Sequence, residues 1–170
     1  MVTVREHEIR EALERFFLLS AGAALAATGL GKGLSAIGPA RALDITDPLV
    51  GIPFRQLFLI VGQAEVFIAF FCLFTDKRRL SLVAVAWIST NFLVYRIGLW
   101  SVGWHHPCGC MGNLAGMLHL SDQAADNIMK VVLAYLLAGS YLLLYLDWRA
   151  RRAAGTPGSP PPDPAELVPG

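Results

Sequence analysis

The chain has 170 residues, of which 55% are hydrophobic and 16% charged; its formal net charge is +1 and its mean hydropathy +0.51. A soluble domain carries about 25% charged residues, so this composition points to a membrane protein of one domain. The small net charge, with no basic-aromatic run, gives no ground for a nucleic-acid partner, and three cysteines are too few for a secreted disulfide scaffold.

In chain order, residues 1–15 read as a cytoplasmic N-terminal segment. Four apolar stretches follow: Phe16 to Ile37, rich in Ala and Gly, then Ile52 to Phe74, Leu80 to Trp100 and Ile128 to Trp148. A bilayer core takes about 20 helical residues, and a helix satisfies its own backbone in lipid. Residues 16–148 therefore predict an all-α, integral membrane four-helix bundle with the lipid bilayer as its surroundings. "AGAALAA" has the small residues of a leader cleavage site, but Glu6, Glu8, Glu11 and Glu14 precede it where a leader needs positive charge, which favours a retained first span. Gly29 and Gly33 form a small-xxx-small pair, open either to close helix approach or to simple tolerance of glycine in a membrane helix.

Leu34 to Gly51 is an outer loop with "DITDP" as its turn-forming part. Pro53 suits the first turn of the second helix. Ser121 is placed to cap the fourth, with Asp122 in its first turn. Trp100, Trp104 and Trp148 lie where interfacial aromatic belts occur. Beyond the last span, residues 149–170 are polar and Pro-rich and predict a disordered cytoplasmic tail.

Orientation follows from Lys and Arg. With four spans, one side carries Arg5, Arg10, Arg15, Lys77, Arg78, Arg79, Arg149, Arg151 and Arg152; the other carries Lys32, Arg41, Arg55, Arg96 and Lys130. Nine against five puts both termini in the cytoplasm and the loop before the last helix on the outer face of a bacterial inner membrane.

That loop contains "WHHPCGCMGN", residues 104–113. Cys108 and Cys110 are one residue apart, in a compartment where disulfides persist. A ring between such near neighbours is small and strained, hence reducible, and as a staple it would remove little chain entropy. Gly109 and Pro107 suit the tight bend. These features point to thiol–disulfide exchange, with His105 or His106 favouring the thiolate. A second reading is a Cu or Zn site from Cys108, Cys110, His106 and Met111, with His105 and His119 as further donors. A third is a pair of inert thiols.

Cys72 lies toward the opposite end of the second span, too far from the loop to resolve its disulfide, and reads as a small apolar residue. Glu65 is an ionisable group inside the second span and needs an interior partner. Depth matching nominates Arg96, helped by Gln63, Asn91 and Tyr95. The cluster either pins two helices together or serves as a proton relay or quinone contact. Asp122, Asp126 and Lys130 share one helical face, as a solvated outer end or a docking edge.

Four spans, the acidic Glu65 in the second, "LDITDPLVGIPFRQLFLIVGQAEVF" running into that span, and the "CGCMGN" loop resemble the MauE branch (methylamine-utilisation membrane proteins) of the DoxX-like superfamily, over roughly Phe16 to Trp148. The resemblance implies a membrane redox function: disulfide formation or electron transfer that supports maturation of a periplasmic thiol or disulfide partner, with quinone as a possible acceptor. A two-step relay usually has a second cysteine pair, and here only Cys72 is left.

Overall fold

The computed structural model describes residues 2–38, 41–103 and 121–154. These form four α-helices: α1 (Val2–Ile37), α2 (Phe54–Phe74), α3 (Arg78–Ser101) and α4 (Asp122–Ala154). A short 3-10 turn, Arg41–Asp44, lies between α1 and α2. Among the described residues there is no strand, only an isolated bridge between Thr46 and Pro53. Each helix is long and apolar enough to cross a membrane. The chain is thus an all-α, multi-pass membrane bundle.

The outer helices are longer than their apolar runs. α1 starts 14 residues before Phe16, and α4 runs from Asp122 to Ala154, past both ends of the Ile128–Trp148 stretch. Hydropathy registers only the part that fits hydrocarbon. The flanking Glu, Arg and Ala are strong helix formers, and no Pro or Gly interrupts them. The first six residues assigned to the disordered tail, 149–154, are therefore helix; residues 155–170 lie outside the described set.

The helix starts match their local chemistry. The Ser121 hydroxyl accepts from the Ala124 N–H at 3.3 Å, capping α4. Pro53 stands one residue before α2, its carbonyl accepting from the Gln56 and Leu57 amides.

The core shows how the helices face. Phe17, Leu18, Ala21 and Leu25 of α1 pack with Ile68, Ala69 and Cys72 of α2, Leu82, Val85 and Ile88 of α3, and Leu136 and Leu143 of α4. Spacings of three and four keep each set on one side of its helix. Cys72 packs inward: a Cβ at Gly22 would stand 3.2 Å from its Cβ. The Phe17 ring occupies the space over Gly139 of α4 and lies 5.4 Å from the Tyr135 ring. Large apolar side chains such as Phe67, Trp87, Val94 and Val131 point outward. In a membrane that surface meets lipid rather than water.

Candidate functional site

The closest approach of α1 and α2 is at Gly29 and Gly62. A Cβ on Gly29 would stand 2.8 Å from the Gly62 carbonyl oxygen, and one on Gly62 would stand 2.9 Å from that of Gly29. Only glycine fits both positions, so Gly29 of the small-xxx-small pair does serve close packing; a Cβ on Gly33 would meet open space.

This contact brings two charges together. Lys32 lies one turn beyond Gly29 on α1, and Glu65 one turn beyond Gly62 on α2. The Lys32 ammonium donates to both carboxylate oxygens of Glu65, at 2.7 and 2.8 Å. Their side chains are 5% and 1% exposed, so the pair is shut off from bulk solvent. Lys32 Nζ also lies 5.6 Å from the centroid of the Phe92 ring on α3. Taking two charges out of water costs several kcal/mol per ion, and only close, well-made contacts offset that cost. The bidentate geometry supplies such contacts.

The expectation that Glu65 pairs with Arg96 is corrected here. Glu65 faces α1, while Arg96 on α3 donates to Asp126 on α4, whose other oxygen takes Lys130 Nζ at 2.7 Å. Two of the nominated helpers do not assemble round Glu65 either. Gln63 and Asn91 are exposed, and Asn91 Nδ2 donates to the Trp87 carbonyl of its own helix. Depth matching located the right layer but carried no information on helical phase. Asp126, read as part of a solvated end, is only 8% exposed because it holds Arg96.

Tyr95 joins a different polar group. Its hydroxyl donates to Oδ2 of Asp47, which is 1% exposed. Asp47 Oδ1 accepts from the Leu49 and Val50 amides, both at 2.8 Å. The turn closes through Gly51, whose φ of +73° favours glycine. Leu49 packs onto Gly98, where a Cβ would stand 2.8 Å from Leu49 Cδ1. The "DITDP" turn is thus fastened onto α3. Arg55 donates to the Ala36 and Gly38 carbonyls, closing the C-terminal end of α1.

Lys32, Glu65, Tyr95 and Arg96 line one cavity of about 50 Å³ where all four helices meet; most of its remaining wall is apolar, including Phe92, Met129 and Leu133. A water needs roughly 10–15 Å³ on such a measure, whereas an engineered cavity that takes benzene is about 150 Å³. The space therefore suits a few waters and is too small for an aromatic ring unless helices part.

Along the helices, Arg96 is five residues before the end of α3, and Met129 is seven residues after the start of α4. The cavity thus lies nearer to the end of the bundle where the α3–α4 connection attaches. Cys108, Cys110, His105, His106, Met111 and His119 belong to that connection, residues 104–120, and lie outside the described residues. Among the described residues no group of three or more His, Cys, Asp or Glu side chains gathers as a metal site would require.

Comparison with family models, with curated proteins and with solved structures finds no match. The likeness to the MauE branch rests on the residues quoted for it.

The pairing of Lys32 with Glu65 had a signal in the sequence. Lys32 is the sole charge between Phe16 and Ile37, and Glu65 the sole charge of the second span beyond its first turn. Two lone, opposite charges in consecutive antiparallel spans are natural partners.

Proposed function

We propose that the chain is a MauE-like membrane redox protein that exchanges disulfides with a partner through Cys108 and Cys110. One observation carries this reading: the chain's only closely spaced cysteines fall in the connection at the end of the bundle nearer the buried charged cavity. The excess of Lys and Arg at the other end supports a reading in which this end faces outward from a bacterial inner membrane and both termini are cytoplasmic.

In the forward direction, a partner thiolate attacks the Cys108–Cys110 disulfide, giving a mixed disulfide and one free thiolate on the loop. The partner's second thiol then displaces the loop cysteine. The partner leaves oxidised, and Cys108 and Cys110 leave as a dithiol, having taken two electrons and two protons. An imidazole at His105 or His106 favours the thiolate form that reacts. Reoxidation needs an acceptor, either a quinone or a second protein dithiol/disulfide pair.

The cavity bears on that choice. Its volume suits water and proton transfer better than a seated quinone ring, so the proton-handling role of the Glu65 layer is favoured, with Lys32 as the partner of Glu65 and with Tyr95 and Arg96 on the same wall. A quinone would then meet the loop from the lipid side. Alkylation of the membrane-embedded protein with and without reductant tests the redox claim. A reductant-dependent mass shift at Cys108 and Cys110 together, with Cys72 unchanged, is expected. Full alkylation without reductant, or stoichiometric Cu or Zn lost on alkylation, contradicts it.

A further inference from the structure

The opposite end of the bundle carries a feature independent of the thiol chemistry. A shallow, open cleft is lined by Lys77, Arg78, Arg79, Leu80 and Val83, at the start of α3. Among the described residues, three consecutive cations line it and no carboxylate does. Asp76, next in the turn, is not part of the lining, and the first turn of α3 contains no acidic residue.

Two neighbouring acids, Glu11 and Asp147, are already engaged. Arg78 stands 3.4 Å from Glu11. Arg79 Nε is 3.8 Å from Asp147, but that carboxylate is held by Arg10 at 2.9 Å and Arg151 at 2.8 Å. One carboxylate thus faces three guanidiniums, and the Arg79 side chain remains 66% exposed.

The apolar lining continues the surface in one direction. Leu80 and Val83 are 47% and 46% exposed, and Trp87, one turn further on the same helical face, is 63% exposed. Cations at the membrane boundary therefore stand directly above an apolar stripe running into the span. A ligand matching both halves has an anionic head and a hydrocarbon chain.

We propose that this cleft binds an anionic phospholipid, its phosphate held by Lys77 and Arg79 and one acyl chain lying along Leu80, Val83 and Trp87. Basic clefts at the ends of membrane helices recognise acidic headgroups in this way. Arg78, half-committed to Glu11, adds field rather than a direct contact.

The test uses the full chain purified in detergent with an equimolar mixture of phosphatidylglycerol and phosphatidylcholine, with retained lipid counted by native mass spectrometry. The wild type is expected to retain phosphatidylglycerol in several-fold preference. The Lys77→Gln/Arg79→Gln variant should lose that preference and retain the two lipids about equally, while Lys77→Arg/Arg79→Lys keeps it. Arg149→Gln/Arg152→Gln, at the same end but outside the cleft, should leave it unchanged. An unaltered preference in Lys77→Gln/Arg79→Gln overturns the site. So does an equal loss in Arg149→Gln/Arg152→Gln, which would mean diffuse attraction. Displacement of the lipid by millimolar inorganic phosphate would mean that the cleft recognises the phosphate alone, and would overturn the two-part binding mode.

Discussion

The Lys32–Glu65 pair and the Asp147 cluster, toward opposite ends of the bundle, use charge in opposite ways. Toward the α3–α4 connection, Lys32 and Glu65 form one isolated pair with side chains 5% and 1% exposed. At the other end, Asp147 is shared among Arg10, Arg79 and Arg151, with side-chain exposures of 26%, 66% and 61%. Water can replace a lost partner in the second case, so such pairs contribute little. In the first case bulk water is shut out and only the few waters the cavity can hold are at hand, so the pair acts largely as a unit: either both charges stay or both go.

The largest expected effect exploits that difference. Glu65→Leu strands a buried ammonium, and Lys32→Met strands a buried carboxylate. Each should cost about 3–5 kcal/mol, read as a fall in stability during reversible detergent unfolding. The double variant Lys32→Met/Glu65→Leu should recover most of the loss. If the two single losses simply add, the pair is not the coupled, buried unit described here.

A slightly smaller effect is expected where the backbones touch. Gly29→Val drives a branched side chain against the Gly62 carbonyl, which cannot swing aside. Overpacking of this kind costs about 1–3 kcal/mol, and here the upper end applies. Gly33→Ala, where a Cβ meets open space, should be nearly silent. Equal losses at both positions would contradict the close approach at Gly29.

Tyr95→Phe removes the donor to a carboxylate that is 1% exposed. Leaving a buried acceptor unsatisfied costs about 1–3 kcal/mol, partly met here by the two amides that hold the other oxygen. Faster proteolysis in the loop at residues 44–52 would report the loosened turn. An unchanged cleavage rate would show that Tyr95 does not fasten it.

The smallest effect belongs to the opposite end. Asp147→Asn should cost under about 1 kcal/mol, and the loss should shrink further at about 1 M salt, where screening is short-ranged. A loss matching that of Glu65→Leu would erase the contrast between the two ends.

Much of this architecture was legible. The four apolar runs gave the spans because lipid leaves the backbone no alternative to helix, and Ser121 marked the start of α4. The helix ends were less legible, since apolar counting stops where hydrocarbon stops and residues 2–15 and 149–154 continue as helix on propensity and on polar contacts such as Arg10 with Asp147. Glu65 stood out as an isolated charge, but its partner depended on which face of α2 meets α1. That was set by Gly29 and Gly62, whose meaning appears only when the two helices are brought together. Lys32 was visible too, but as a charge counted for orientation rather than as a buried ligand. Asp47 was least legible, because an Asp in a turn normally faces water and here it is sealed under Leu49 and Tyr95.

The central functional claim concerns the cysteines of the α3–α4 connection, and the most direct measurement is a trap. Cys110→Ser and Cys108→Ser variants, expressed separately in cells, each retain one loop thiol. At least one should accumulate a mixed disulfide with a partner protein, seen as a higher-mass band that reductant collapses. If both variants are made, reach the membrane and never form such an adduct, the thiol–disulfide account is wrong.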